Sequence, residues 1–396
     1  MTTAQCVSIR ILAFVLAVVG VGCGAAYVAQ PSAPASGELQ SRVSIAFVGQ
    51  ALIKTDICKS APESLAHARE ALRGADVAFT NLEVAIQPAG QKLAPLKNAV
   101  PAPPAVLDCL KAMGFNMISL ANNHAFDLRT AGLFATMDEV RQRGFTHAGT
   151  GADAAAAAAP GFLKTGKGRV ALVAMATGAV QLVPETWAAP GRPGVNYLQR
   201  MPDGRLNPEH RQRILDAVRA AARESQTVIA YHHNHDWGGA RGSGLPPDRE
   251  KRIGRFETQP WAIEWARELI DAGASVYVAH GDPTLHGVEI YNGRLILHGL
   301  GNYIFHSAGG SDRYGPLAYM SVVATAEFSD GRLQSARFRP VVLSLVQTGE
   351  SPRGTPYLAE GAEAEAILQR LAYVSQRHGS KIRIDPAAEA AILEVP

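Results

Sequence analysis

The chain is short of the features that assign a protein quickly. It has no block of Lys or Arg, and 38 basic residues against 35 acidic ones leave a net charge of only +3. A protein that grips a phosphate backbone shows a basic stripe or patch, so nucleic acid is not an expected partner. Only four cysteines occur in 396 residues, none spaced CxxC, which removes zinc ribbons and thioredoxin-like redox motifs. No apolar run reaches the roughly 20 residues of a membrane-spanning helix, and no internal repeat is visible. Charged residues are sparse at 18%, whereas 47% are hydrophobic, a composition that buries a large core.

The N-terminus carries an export pattern. Arg10 precedes a short apolar run, Ile11 to Val21, and small residues follow at Gly22, Gly24, Ala25 and Ala26. A charged start, a short apolar stretch and small residues at its end are what signal peptidases recognise. Residues 1–29 are therefore expected to be a signal peptide or a lipoprotein signal. Val21-Gly22-Cys23 partly matches a lipobox, which makes Cys23 a candidate for lipidation, although Gly20 stands where leucine is usual. The expected location is the cell envelope, periplasmic or membrane-anchored. With Cys6 and Cys23 in the signal, Cys58 and Cys109 remain, and an oxidising compartment makes a bridge between them an expectation.

Residues 30–42, rich in Pro, Ala and Ser, read as a flexible linker. Beyond them strands and helices alternate. Strands are expected at Val43–Val48, Asp76–Thr80, Asn116–Leu120, Val170–Met175, Thr227–His232 and Ser275–Ala279. Helices are expected at Pro62–Arg73, Leu107–Met113, Thr130–Arg143, Pro208–Glu224 and Pro260–Asp271, several closed by glycine. That alternation predicts βαβ units and parallel pairing. After Ala279 the pattern changes. Asn292-Gly293 and Asp330-Gly331 are hairpin signals, because their residues tolerate positive φ, so the C-terminal part is expected to be antiparallel. The domain is expected over 43–345, and residues 346–396 form an extension with a helix at Ala362–Arg377.

Polar clusters stand at the carboxyl ends of four predicted strands. These are Asn81-Leu82-Glu83; Asn122-Asn123-His124 with Asp127; His232-His233 with His235 and Asp236; and His280-Gly281-Asp282. In open α/β sheets ligands bind at that edge. Imidazole, carboxylate and amide oxygen together suit a divalent Zn, Mn or Fe ion. Alternate strand residues share a face, so His233 and His235 are expected to converge while His232 points away. His286, His298 and His306 read as structural or surface residues.

The blocks Phe47-Val48-Gly49, Thr80-Asn81-Leu82-Glu83, Ser119 to His124 with Asp127, and Glu289 through Leu300-Gly301-Asn302-Tyr303-Ile304-Phe305 resemble the CapA-type capsule-synthesis family linked to poly-γ-glutamate. That family is similar to calcineurin-like metallophosphatases. The resemblance implies an α/β fold of the αββα sandwich type, with mixed sheets and a metal site at the strand ends. It implies Glu83, Asn123, His233, His235 and His280 as metal ligands, and His124 as the acid, with Asp127 beside it. Gln50, Asp56, Asn81, Asp236 and Asp282 are further candidates. Two departures stand out: Gly49-Gln50 replaces Gly-Asp, and His280-Gly281-Asp282-Pro283 lacks the second His of His-Gly-Pro-His. The site is thus a variant holding one divalent ion, two, or none. The implied role is synthesis or export of an anionic envelope polymer with a metal-dependent, hydrolase-like centre acting on a phosphoester or γ-glutamyl substrate. Membrane-bound capsule synthesis or export components are the implied partners, and Arg129, Arg241 and Arg249 are candidate contacts to an acidic polymer. Two alternatives remain open: a non-catalytic scaffold or binding subunit, and a general metal-dependent phosphoesterase.

Overall fold

Strand periodicity sets the architecture. In Val43–Phe47 the side chains of Ile45 and Phe47 face one side, and Ala46 the other. The computed structural model, which describes residues 42–178, 182–236, 257–307 and 315–396, resolves this alternation into two packed sheets. Cys23 and the rest of the expected signal, Arg241 and Arg249 lie outside the described residues.

The first sheet has nine strands. Its main path is Ile382–Asp385, Ala390–Leu393, Arg332–Leu343, Met320–Ser329, Val43–Phe47, Val77–Asn81, Met117–Ser119 and Thr146–Ala148. The second has six: Val288–Tyr291, Arg294–Leu297, Val276–His280, Thr227–Asn234, Gly168–Thr177 and Gly161–Thr165. Each contains a run of parallel strands, bordered by antiparallel ones on one side in the first sheet and on both sides in the second. The expected parallel units are therefore divided between two sheets. The two hairpins form where glycine dipeptides were read: Asn292 has φ 52° and Gly293 71°, and Asp330 has 47° and Gly331 69°. The strand expected at Leu317–Phe328 begins only at Met320, and Pro316–Tyr319 form a 3₁₀ turn. Pro316 has no N–H to contribute to a ladder.

The inner faces of the sheets share one core, in which Ile45, Phe47 and Phe79 pack with Leu172, Ile229, Tyr231 and Val278. Phe79 and Tyr231, one from each sheet, have ring centroids 5.3 Å apart. Outside the first sheet, Pro62–Leu72 and Ala105–Met113 bury Ala68, Leu72, Leu107 and Leu110 against Ala46 and Ala78. Outside the second, Pro208–Glu224 and Pro260–Asp271 bury Ile214, Val218, Trp265 and Leu269. Each such aliphatic or aromatic side chain contributes about 1.5–3 kcal/mol by leaving water. The result is the αββα sandwich.

The segment after 345 belongs to this body. Residues 41–396 form one compact unit. Gly361–Gln376 is a helix that buries Ala364, Ile367, Leu368 and Leu371 in the inter-sheet core, and two terminal strands extend the first sheet. A disulfide joins Cys58 to Cys109 with Cα atoms 5.5 Å apart, tying the short helix Ile57–Ser60 to Ala105–Met113. No described helix is long and apolar enough to cross a membrane.

Candidate metal centre between the sheets

The carboxyl ends of the parallel strands meet across the sandwich. Glu83 follows Val77–Asn81, and Asn123 and His124 follow Met117–Ser119, both in the first sheet. His233 lies in Thr227–Asn234, His235 just beyond it, and His280 ends Val276–His280, all in the second. Parallel register sets His233 beside His280.

Glu83 Oε1 lies 3.6 Å from His233 Nε2 and 4.0 Å from His235 Nε2. The carboxylate and the two imidazoles bring one ligand atom each within 4.8 Å of one another. Asn123 Oδ1 stands 2.9 Å from His233 Nε2, and Tyr231 OH stands 3.3 Å from the other ring nitrogen. His232 points to the opposite face, between Tyr277 OH at 2.9 Å and Thr177 Oγ1 at 2.8 Å. Its role is to pin the strand.

The group is buried: Glu83 is 3% exposed, Asn123 3%, His233 0% and His280 2%. Glu83 Oε2 has no hydrogen-bond partner. Neither ring nitrogen of His280 completes a hydrogen bond, although the Val48 backbone lies beside the ring. Such groups cost about 1–3 kcal/mol each when left unpaired. Burial, then the neighbouring imidazoles of His235, His280 and His124, pushes His233 far down, and burial pushes His280 down to about 3. Both are neutral, the form in which imidazole ligates a metal. An orphaned carboxylate oxygen and neutral nitrogens beside an amide oxygen are a donor set that fits a divalent borderline cation.

His124 has a different setting. Its Nδ1 lies 2.8 Å from Asp127 Oδ2, and that carboxylate oxygen also accepts from Val100 N. Asn122 Oδ1 accepts from His124 N, and Asn122 Nδ2 donates to Leu82 O and to Asn81 Oδ1. Burial lowers the His124 pKa, but the hydrogen bond and charge of Asp127, with the charge of Glu83, outweigh it, and the net shift is upward.

The structure engages the remaining candidates elsewhere. Gln50 donates to Asn302 Oδ1 at 2.9 Å and accepts from Gly281 N at 2.9 Å, so both ends of its amide are in use. Asp56 caps the helix Ile57–Ser60 and pairs with Lys59. Asn81 holds Asn122. Asp236 pairs with Arg200 at 2.9 Å. Asp282 accepts from Thr284 and faces His286 at 3.5 Å. Tyr231 and Asn122, which orient His233 and the His124 backbone, were not singled out as orienting residues; Tyr231 lies two residues before His233 on the same strand face, which is a readable signal.

The family described as bacterial capsule synthesis protein PGA_cap matches residues 44–307. The chain belongs to that family. Among relatives of this PGA_cap chain, an uncharacterized protein of Sinorhizobium fredii is 28% identical and covers 85% of this chain and 90% of its own. A probable polyglutamine synthesis accessory protein of Mycobacterium tuberculosis is 25% identical over 78% of this chain and 75% of its own. The PGA biosynthesis protein CapA of Bacillus subtilis is 27% identical over 50% of this chain and 44% of its own. The PGA_cap match begins within the first strand and ends just past Phe305, so it contains every residue of the cluster.

Proposed function

We propose that this protein is an exported cell-envelope component of anionic-polymer synthesis, of the poly-γ-glutamate kind, with a metal-dependent hydrolase-like centre at the sheet edge. The observation that carries the reading is the buried meeting of Glu83, His233 and His235, with Asn123 Oδ1 2.9 Å from His233. Glu83, Asn123, His233, His235 and His280 would hold the ion. A divalent cation there supplies Lewis acidity toward a phosphoryl or carbonyl oxygen. The chain's own part is proton handling and orientation. Asp127 holds His124 through Nδ1, which leaves Nε2 to give a proton to a leaving group or take one from water. The polymer assignment rests on the family and on the two relatives above that are described as polyglutamine synthesis and PGA biosynthesis proteins.

The test is metal content before and after chelation, followed by assays on phosphoester and γ-glutamyl substrates. Glu83→Gln combined with His233→Ala should lose at least one equivalent of bound divalent metal, together with any hydrolysis. Retention of all metal by that double variant would sink the assignment of these ligands.

A second reading has its own observation. Gln50 stands where the family resemblance implies the acid of Gly-Asp, and its amide is spent on Asn302 and Gly281. A neutral side chain cannot balance a second dication as a carboxylate does. A scaffold subunit that keeps the fold without turnover fits that feature. It predicts no hydrolysis of either substrate class even when the chain is metal-loaded.

A further inference from the structure

A second cluster of histidine and acid uses none of the edge site's residues, and a hairpin and the end of a distant helix build it. Glu289 lies on Val288–Tyr291, His298 directly follows the paired strand Arg294–Leu297, and His378 follows the helix Gly361–Gln376. Glu289 Oε2 lies 2.9 Å from His298 Nε2 and 3.8 Å from His378 Nδ1, and one ligand atom from each residue falls within 4.8 Å of the others. Tetrahedral zinc with bonds of ~2.0–2.1 Å sets its ligand atoms ~3.3 Å apart, so the three already stand close to that spacing. The two imidazoles stack with centroids 4.2 Å apart.

The surroundings are built for the arrangement. Arg267 grips Glu289 Oε1 at 2.7 Å, which turns Oε2 toward the imidazoles. Position 287 is glycine, and a Cβ there would fall 2.4 Å from His378 Cδ2. Position 299 is also glycine, and a Cβ there would meet the ring of His286 at 3.0 Å. His286 and His298 border one small cavity of about 30 Å³. His298 Nδ1 and His286 Nε2 are buried without a hydrogen bond. His286 Nε2 faces Asp282 Oδ2 at 3.5 Å, and His298 Nδ1 is the ring nitrogen opposite the one that faces Glu289, so it is open to carry the ring's proton when the other nitrogen ligates.

We propose that Glu289, His298 and His378 form a second cation site, selective for a borderline divalent ion of the zinc class, with His286 as the candidate fourth donor. It shares no ligand with the edge centre, although the cavity beside it also borders His280, and it stands whether or not that centre is catalytic. Without an ion, the proton on the nitrogen of His298 that faces Glu289 holds the same atoms together. Zinc at that nitrogen requires the neutral ring's one proton to sit on Nδ1 instead, and binding weakens as pH falls because a second proton on the imidazole competes with the ion. The site clamps the C-terminal helix to the Val288–Leu297 hairpin.

The experiment uses the full chain carrying Glu83→Gln and His233→Ala, stripped by chelator and titrated with zinc alone. One equivalent should bind, and X-ray absorption of the zinc-loaded protein should show imidazole scattering. Adding His378→Gln, chosen because His378 is at the margin of the cluster rather than in the core, should weaken zinc by more than about 100-fold, since outer-shell changes alone cost 10–100-fold. No zinc binding by the edge-disabled chain, zinc without imidazole ligation, or unchanged affinity in a folded His378→Gln variant would each overturn the proposal.

Discussion

Gln50→Asp tests whether the amide at this position is structural. Gln50 is 3% exposed and bridges Asn302 Oδ1 and Gly281 N. Asn302 cannot turn its amide to suit an acid, because its Nδ2 donates to Ala318 O at 2.9 Å and to Pro283 O at 3.3 Å. An aspartate therefore faces an acceptor with an acceptor. The change removes a hydrogen bond of about 1 kcal/mol and leaves Asn302 Oδ1 unsatisfied, at about 1–3 kcal/mol. It also places a charge in a buried position, which breaking a buried pair shows to cost about 3–5 kcal/mol when uncompensated. Some relaxation toward solvent lowers the sum, and a loss of about 3 kcal/mol is expected from urea unfolding without metal. If the new carboxylate engages a cation, excess Mn²⁺ should return about 2.7 kcal/mol at one hundred times its dissociation constant. Gln50→Glu, which keeps the length but not the donor, should lose a similar amount. A cost below about 1 kcal/mol for both acids in chelator would refute the reasoning, because it would mean that the bridge to Asn302 contributes nothing.

Replacing His124 by Ala, or Asp127 by Asn, should reduce turnover on any substrate found by about 10²–10⁴-fold while leaving metal content unchanged. Loss of metal from His124→Ala would make it a ligand instead. Burial, then the charge of Lys54, pushes His306 down to about 4, and burial, then Arg213, does the same to His210. Both fold neutral, so their stabilisation is complete above the ordinary value of about 6.5 and is lost as pH falls toward about 4. His306 accounts for on the order of 2–3 kcal/mol of that loss, and the more exposed His210 for less. His306→Asn, which keeps an acceptor for Lys54 N, should flatten the pH dependence of denaturant midpoints between those values; an unchanged slope would count against it. Reduction of Cys58–Cys109, or paired Cys→Ser changes, should cost about 2–4 kcal/mol, read as a shift in the urea midpoint.

Local chemistry made much of this fold legible. Pro208–Glu224 starts with Asn207 capping two backbone N–H groups, and the Asn292-Gly293 turn needs the positive φ that both residues supply. Neighbours in sequence settled both. The allocation of strands to the two sheets was hidden, because Thr146–Ala148 and Gly161–Thr165 lie close in sequence yet are edge strands of different sheets. The pairing of Gln50–Leu52 with Asn302–Phe305 was hidden for the same reason, since nothing local joins segments that far apart. At the candidate site, strand alternation separates His232 from His233, and the structure has them on opposite faces. Gln50 was visible as a departure, but its two hydrogen bonds were not. Glu289, His298 and His378 were the least legible, because their meeting depends on a helix returning to a hairpin.

The position of the first strand governs when this protein can finish folding. Val43–Phe47 lies inside the nine-stranded sheet, with Val77–Asn81 on one side and Met320–Ser329 on the other. Its second neighbour is supplied by almost the last quarter of the chain. Until residue 329 has been delivered, the strand keeps an open row of backbone donors and acceptors, the kind of edge that recruits other chains. Long-range closure of this sort is slow, on the ms–s scale. A fragment ending at residue 307 would contain the whole span of family similarity, along with Glu83, Asn123, His124, His233 and His280, yet it would expose that edge permanently. Assembly of the site between the sheets therefore waits on residues that take no part in it, and a chain that has not yet delivered them presents that open edge to other chains.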